Sequence, residues 1–544
     1  MTTPVFSQWK SEPCSQKRGP LARRSMPDPY YITTAIHYPN GKPHIGHAYE
    51  TIAADVMARF QRLRGREVRF QTGTDEHGLK MAQKARELGQ TPRALADEMS
   101  GYFKALFDKL DISYDRFLRT TDVDHHEASR AIWRAMEAKG DIYLDRYEGW
   151  YSIRDEAFYD EKELVEGEGG ERLSPQGTPV EWTEEETCFF RLSAYQDRLI
   201  ELLNRPGFCE PASRRNEMLA FVEGGLKDLS ISRTSFDWGV KVPGHDDHVM
   251  YVWVDALTNY VTGVGYPDGG EMWEKFWPAD LHLIGKDIVR FHTVYWPAFL
   301  MSADLPLPKK VFGHGFLLNR GQKESKSLGN VTDPGELADR FGVDALRYFL
   351  MAEVTFGQDG SYSAEALVNK VNAELANSFG NLAQRTLSMV QKNMDGALER
   401  FETSGEDKAL LTIVQVACRN ALPDAFDSLS FSTGIEAWLR AVYACNQYVD
   451  EQAPWSLKKT DPKRMKVVLQ TLVLAIRDLA IAIQPVIPTK AAAVLDQLDV
   501  PDNARDFAAL SDESWFDARV ATGKTLDKPS PIFPRLELSE AETA

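Results

Sequence analysis

A chain of 544 residues is too long for one hydrophobic core, so three or four folded units are expected. With 43% hydrophobic and 26% charged residues it has an ordinary globular balance, which excludes general disorder and a fibrous chain. A formal net charge of −17 excludes indiscriminate gripping of nucleic acid, which rests on neutralising many phosphates, but leaves room for a specific partner on local basic patches.

The chain opens with Lys10, Lys17, Arg18, Arg23 and Arg24 against Glu12 and has no apolar core of a signal peptide, so it reads as a solvated tail. An organelle transit peptide is the alternative. Tyr30 to His37, rich in β-branched and aromatic residues, predicts a strand that stops at the turn signal Tyr38-Pro-Asn-Gly-Lys-Pro43. Ile45, Ala48, Tyr49, Ile52, Ala53, Val56 and Phe60 recur at helical spacing until Gly65, and Val68 to Gly73 predicts a second strand. Strand, helix and strand in this order require a right-handed parallel crossover, whose ligands sit beyond the carboxyl ends of the strands. The turns at 38–44 and 72–78 are therefore where chemistry is expected.

From about Asp141 to Gly244 the texture changes to short aromatic strands with acidic and Gly-rich connections, as in an insertion. Alternation resumes with strands expected at Val249–Val254, Leu281–Ile284 and Val311–Leu318, read as the second half of one sheet. After Thr332 amphipathic runs at 363–395, 408–422, 433–450 and 463–484 predict a helical bundle. The most apolar stretch, Val467 to Ile487, contains Arg477 and Asp478 and ends at Pro485 and Pro488, so it reads as a buried bundle helix rather than a membrane span. Cys14, Cys188, Cys209, Cys418 and Cys445 show no paired spacing, which leaves no readable disulfide framework or CxxC metal site and fits a reducing compartment.

His44-Ile-Gly-His47 sets two imidazoles three residues apart at the start of the first helix, facing one side of its first turn. Unpaired N–H groups and the helix dipole favour anions there, and Gly46 lets a phosphate approach the backbone. A chance pair of structural histidines is the plainer reading of four residues. Zinc is a further occupant, although helix-borne metal ligands come more often at i and i+4 with an added acid. Lys323-Glu-Ser-Lys-Ser-Leu-Gly-Asn330 follows the last expected strand, and two lysines on a mobile loop suit a pyrophosphate whose charge is growing. Taken alone, it reads equally as a solvated loop.

In this order and spacing the two segments resemble the HIGH and KMSKS motifs of class I aminoacyl-tRNA synthetases. Tyr30–Thr34, Thr72–Gly78, Asp228–Arg233, Tyr251–Ala256, Ile284–Ile288, Phe291–Pro297 and Glu451–Trp455 are similar to blocks of the methionyl-tRNA synthetase family, over about residues 30–500. The resemblance implies an α/β fold, a Rossmann-type parallel nucleotide-binding sheet with an inserted connective domain, followed by an all-α helical-bundle anticodon-binding domain. The units then read as a tail at 1–27, the catalytic domain's first half at 28–140, the connective insertion at 141–248 and the second half at 249–331. A stem-contact linker at 332–378, the bundle at 379–525 and a tail at 526–544 follow.

In that family methionine is activated with ATP to methionyl-adenylate, pyrophosphate leaves, and methionine passes to the terminal ribose of tRNA(Met). By resemblance His44, His47, Lys323 and Lys326 are the catalytic set, and His44, Gly46, His47, Glu50, Gly285, Asp287, Lys323, Ser325 and Lys326 bind ATP with its Mg²⁺. No protein nucleophile is needed, because positioning and electrostatics suffice. Asp75 is implied to bind the ammonium, where a helix cap is the plainer reading. Ile36, Tyr38, Trp253, Ala256, Leu257, Tyr260, Ile288, His292 and Trp296 are implied to hold the methionine side chain, whose polarisable sulfur suits aromatic surfaces. Trp253, Ala256, Leu257 and Tyr260 share one helical face, a pattern that by itself means core. Asn381, Arg385, Pro454 and Trp455 match the family's readers of the CAU anticodon, and an indole beside Asn and Arg suits unpaired bases. Closing a helix pair is the plainer role for Trp455.

Two departures stand out. Relatives often carry a zinc knuckle after the stretch corresponding to Glu148-Gly-Trp-Tyr151, but here Ser152 and Asp155 stand where cysteines would, so no zinc is expected. Glu324 replaces the usual Met beside the catalytic lysine, which bears on rate rather than on the reaction. A catalytically silent tRNA-binding protein and a small-molecule adenylyltransferase are the rival readings. Intact His44, His47, Asp75 and Lys326 speak against the first, and the bundle against the second. With no oligonucleotide-binding module after the bundle, a monomer is expected, acting on initiator and elongator tRNA(Met) with no membrane partner. The bacterial cytoplasm is the first choice of compartment and the mitochondrial matrix the alternative.

Overall fold

The computed structural model describes residues 27–152, 157–167, 169–319, 322–323 and 332–538. β1 (Pro29–Thr34), α1 (Ile45–Leu63) and β2 (Glu67–Thr74) form the expected parallel crossover, with Tyr30 opposite Val68 and Ile32 opposite Phe70. α2 (Leu79–Glu87) and α3 (Pro92–Lys109) lead to β3 (Arg116–Arg119), which pairs parallel to β2, and α4 (Val123–Ala138) follows. α1 is buried on every side from Ala48 to Ala58, as expected of a helix covering a parallel sheet.

Later strands complete this sheet. Leu281–Gly285 pairs with β1, Val311–His314 pairs with Leu281–Gly285, and Cys209–Glu210 adds the edge, all in parallel. The order is β3, β2, β1, Leu281–Gly285, Val311–His314, Cys209–Glu210. Strand order reverses between β1 and Leu281–Gly285, and open α/β sheets bind ligands beyond the carboxyl ends at such a switch point. Those ends are Thr34, a few residues before the expected turn at 38–44, and Gly285; the other expected turn, at 72–78, spans the carboxyl end of β2 at Thr74.

The expected strand at Val249–Val254 is not part of this sheet. His245–Met250 pairs antiparallel with Ser232–Arg233 and Lys241–Val242, and the chain then turns at once into the helix Val252–Thr262. A short run of Val, Met, Tyr and Trp has no period of its own, so a buried helix and a buried strand look alike. Val311–Leu318 likewise divides, since Leu317–Asn319 pairs instead with Gln322–Lys323 and Gly360–Tyr362. In the acidic insertion Ile142–Ser152 and Glu181–Phe190 form a long antiparallel ladder flanked by Ala157–Tyr159 and Leu229–Ser230. The strand Cys209–Glu210, which lies in the same stretch of chain, returns to the parallel sheet.

Beyond Pro334 the chain is mostly helical. A rod over 364–394 passes through a π segment at Val371–Gly380; Phe431–Gln452 and Pro462–Ile483 pack beside it, and 405–427 packs on those two. Pro462–Ile483 is buried on all faces from Val467 onward, with Arg477 paired to Asp478. Among the described residues no helix is long and apolar enough to cross a membrane. The stretch from Leu526, expected as a tail, packs on the bundle as far as it is described. The Leu526 N–H donates to the Gly396 carbonyl, Phe533 meets Phe379 edge to face at 5.9 Å, and Asn372 exchanges two hydrogen bonds with the Leu536 backbone. Ile532, Phe533, Leu536 and Leu538 give it apolar surface to cover, which a count of prolines and acids does not reveal.

Candidate functional site

His44 is the N-cap of α1, with extended backbone (φ −123°, ψ 177°), and its Nδ1 accepts the Gly46 N–H at 3.1 Å. His47 Nδ1 accepts the His44 N–H at 3.1 Å, so two histidines form a reciprocal capping box. Because both Nδ1 atoms accept, each neutral ring carries its proton on Nε2, a donor suited to a phosphate oxygen. The rings lie 3.9 Å apart between centroids. A Cβ on residue 46 would come within 2.9 Å of His44 Cε1, so Gly46 makes room for the cap itself.

Asp75, Glu76 and His77 follow β2 directly. The Asp75 N–H donates to the His37 carbonyl at 2.9 Å and the His37 N–H to the Gly73 carbonyl at 2.9 Å, which ties the end of β1 to the end of β2. Gly73 is obligatory, since a Cβ there would sit 1.9 Å from the Leu118 carbonyl oxygen on β3. Asp75 is buried at this junction. Glu76 is an anchor: its carboxylate takes two bonds from Arg119, at 2.6 and 2.9 Å, and others from Thr74 and Thr121.

Most of the expected side-chain pocket comes together. Tyr260 donates its hydroxyl to His292 Nε2 at 2.6 Å, and His292 Nδ1 donates to the Ile288 carbonyl at 2.9 Å, which defines a neutral Nδ1–H tautomer. Burial agrees, pushing His292 down to about 4 and Tyr260 well up. Trp296 lies 6.0 Å from Tyr260 and Trp253 6.5 Å from His292, between ring centroids. Ala256 and Leu257 are buried on the same helix, and Ile36 and Ile288 are half-buried. Tyr38 is held toward α2, where its hydroxyl accepts the Met81 N–H at 3.2 Å. Phe291, which the sequence reading passed over, stacks on Trp253 at 3.6 Å and 10°. It lies in a π segment, Phe291–Tyr295, which runs straight into the helix Trp296–Ser302, and such segments recur at functional sites. An aromatic residue in the run that leads into Trp296-Pro297 was the available signal.

On the side where the nucleotide is expected, Gly285 ends its strand and the Asp287 carboxylate folds back over it, with Oδ1 2.7 Å from where a Cβ would lie. Glu50 is buried and bridges two strands, accepting the Ala35 N–H at 3.2 Å and bonding His314 Nε2 at 2.9 Å. Burial disfavours the charged ring, but the Glu50 hydrogen bond and charge hold His314 above its usual range. His314 escaped the sequence reading, and its one signal was a histidine ending an apolar strand. Lys323 lies in the short strand Gln322–Lys323, whereas Glu324, Ser325 and Lys326 fall outside the described residues, as does Asp155 in the insertion.

At the far end Asn381 and Arg385 lie one turn apart at the start of Asn381–Met394. Arg385 stands 5.6 Å from the Trp455 ring centroid, and Trp455 is 48% exposed. Pro454 is buried at the start of Pro454–Thr460, after Ala453 turns the chain with φ 41°. An exposed indole beside a guanidinium makes a stacking platform, a geometry suited to unpaired bases.

The model of the family "tRNA synthetases class I (M)" matches residues 30–387, and that of "Anticodon binding domain of methionyl tRNA ligase" matches residues 402–543. A methionine-tRNA ligase of Brucella suis is 57% identical over 508 residues, covering 93% of this chain and 98% of the relative. One of Rhizobium meliloti is 54% identical over 518 residues, covering 94% and 99%. Among solved structures, Mycobacterium tuberculosis methionyl-tRNA synthetase in complex with methionyl-adenylate aligns with a TM-score of 0.90 at 53% identity, covering 93% of this chain and all of that one.

Proposed function

Because the chain belongs to the class I methionyl-tRNA synthetase family, we propose that the buried groups at the switch point and the exposed groups on the bundle divide that family's reaction between them. The overall reaction is that of a methionine-tRNA ligase: methionine and ATP give methionyl-adenylate, and methionine is then passed to tRNA. In activation a methionine carboxylate oxygen bonds to the α-phosphorus as the bond to the leaving pyrophosphate breaks. His44 and His47 donate from Nε2 to phosphate oxygens at the α1 N-terminus. Lys323 and Lys326 neutralise the pyrophosphate as it gains charge, and Ser325 hydrogen-bonds to it. Gly285 and Asp287 receive the adenosine at the switch point. Glu50 contributes indirectly, by fixing the ends of β1 and Val311–His314 on which the nucleotide rests. Mg²⁺ enters with the ATP phosphates, since it keeps water and phosphate ligands rather than requiring a protein cage.

Asp75 takes the substrate ammonium. Trp253, Ala256, Leu257, Tyr260, Ile288, His292 and Trp296 enclose the thioether, with Ile36 and Tyr38 toward its backbone end. The observation that carries this reading is the Tyr260–His292–Ile288 chain, which presents aromatic faces with their polar atoms already bonded to one another. Such a wall rewards an apolar, polarisable side chain over a polar one. Asn381, Arg385, Pro454 and Trp455 read the anticodon that initiator and elongator tRNA(Met) share. Both ends lie in one chain, which supports action as a monomer, and the bacterial relatives support the cytoplasm as its place. Zinc does not suit the insertion's donor set, because the buried Ser152 hydroxyl bonds Thr178 at 2.6 Å and Thr178 bonds Ser174 at 2.8 Å, hydroxyls where thiolates or imidazoles would be needed.

Amino-acid-dependent exchange of labelled pyrophosphate into ATP tests the reading, run with each of the twenty amino acids and repeated with Lys326→Ala. Exchange with methionine alone, lost in the variant, is the expected result. No exchange with any amino acid from folded protein supplied with Mg²⁺ would leave a silent tRNA-binding protein, with Glu324 the first suspect.

A further inference from the structure

The helix Val252–Thr262 has two faces. Trp253, Ala256, Leu257 and Tyr260 form one, and the buried polar residues Asp255, Asn259 and Thr262, spaced at i, i+4 and i+7, form the other. Each polar residue is bonded to a neighbouring element. Asp255 Oδ2 accepts from His77 Nδ1 at 2.6 Å and Oδ1 from His125 Nε2 at 2.7 Å. Gln71 Nε2 on β2 donates to the Asn259 side chain at 2.7 Å and to its carbonyl at 3.0 Å. Thr262 Oγ1 lies 3.1 Å from His125 Nδ1 on α4. Burial opposes ionisation of Asp255, but the two imidazoles hold it well below the usual carboxylate range.

These bonds join the two parts of the substrate site. His77 stands two residues after Asp75, in the segment that also carries Glu76, and Asp255 directly precedes Ala256. That segment is also held by Arg119 of β3, which bonds the Glu76 carboxylate, and from a loop of the insertion by Trp238, whose Nε1 donates to the Glu76 carbonyl at 2.6 Å. Fitting a flexible amino acid requires the ammonium site and the side-chain pocket to be a set distance apart, and these elements carry one each.

We propose that Asp255, through His77 and His125, is a positioning residue that sets the distance between Asp75 and the thioether pocket, and with it the chain length of amino acid accepted. The inference rests on the assignment of Asp75 and Trp253 to substrate made above. A filler role for the network would lower stability but leave chain-length preference alone.

Pyrophosphate exchange with methionine, S-methylcysteine (one methylene shorter) and ethionine (one carbon longer) separates these roles. One methylene is worth about 10- to 200-fold in kcat/KM in a well-formed pocket. Asp255→Asn is expected to shrink the preference for methionine over both analogues by about 10-fold and to raise KM for methionine with KM for ATP unchanged. Unchanged ratios, or KM values for methionine and ATP rising together, overturn the proposal. Should Asp255→Asn not unfold cooperatively, the His77 pair decides. His77→Gln keeps a donor for Asp255 and retains the ratios, whereas His77→Leu loses them, and equal ratios in the two overturn it. Asp75→Ala and Trp253→Ala serve as controls, since KM for methionine unmoved in both removes the substrate assignment itself, and the inference with it.

Discussion

All eleven histidines lie between His37 and His314, and none lies in the helical bundle. The difference between the two ends goes beyond composition. At the switch point the side chains are buried and already bonded to one another, as in Tyr260–His292, His77–Asp255–His125 and Glu50–His314. On the bundle Trp455 stands 48% exposed with Arg385 beside it. A small flexible amino acid gains affinity only from a prebuilt enclosure, whereas an unpaired base brings its own face and needs only a platform. On the assignment proposed above, one end is organised before its ligand arrives and the other is completed by it.

The largest effect is expected where the ends meet. Arg347, fully buried, donates to Asp55 of α1 at 2.6 Å, to the Leu110 carbonyl after α3, and to the carbonyls of Pro485 and Val486 in the bundle. Removing one partner of a buried ion pair costs about 3–5 kcal/mol, so Arg347→Met should lower stability to denaturant by that much and depress exchange and charging alike. A loss under about 1 kcal/mol would mean that the ends are held together by apolar packing alone. Next comes Trp253→Ala, which removes an aromatic wall worth about 1.5–3 kcal/mol and should lower kcat/KM for methionine in exchange by about 10- to 150-fold. Trp455→Ala gives up a stacking face worth about 1–3 kcal/mol per base, and its loss should fall on KM for tRNA in charging, not on exchange. An equal fall in exchange would break the distinction between a prebuilt site and a platform.

The end organised in advance is also the one whose sequence was only partly legible. β1, α1 and β2 follow from period and turn signals, and so does the place of His44 and His47 at the start of α1, whereas the capping role of His44 shows only in the structure. The bundle helices were legible for the same reason, since long amphipathic runs state their period. The helix Val252–Thr262 was legible only in part: Trp253, Ala256, Leu257 and Tyr260 mark one of its faces, but Val249 to Val254 reads as a strand and hides where the helix begins. Its polar stripe was invisible as well, since Asp255 finds partners 178 and 130 residues away. Cys209–Glu210 was missed as a strand of the main sheet because two residues carry no pattern. The docked Leu526–Leu538 segment was missed because prolines mask its apolar residues. Resemblance named the pocket residues, but only geometry shows that Phe291 stacks on Trp253 and that Tyr38 turns toward α2.

The smallest effect concerns pH and depends on where the histidines lie. Burial holds His292 and His126 down to about 4 and lowers His37 and His282. The unfolded chain, with histidines near 6.5, therefore binds more protons than the folded one between pH 6.5 and about 4, so these groups make stability fall on acidification through that window. His314 acts in the opposite sense: raised by Glu50, it contributes stability that is full below 6.5 and lost as pH rises through its raised value. Four groups against one leave the catalytic half acid-sensitive. In the bundle Asp407 is buried, but the Arg464 hydrogen bond and Tyr448 depress it, so its contribution persists above 3.8 and fades only as pH falls further, through its own lowered value. Hydrogen exchange of the full chain, corrected for intrinsic rates and followed from pH 7 toward about 4.5, should show residues 37–314 losing protection before 405–483. His292→Gln supplies a donor to the Ile288 carbonyl and an acceptor to Tyr260 without a titrating ring, and should make that loss shallower. If the bundle loosens first, burial of the histidines is not what sets the acid limit, and the contrast between the two ends does not extend to their stability.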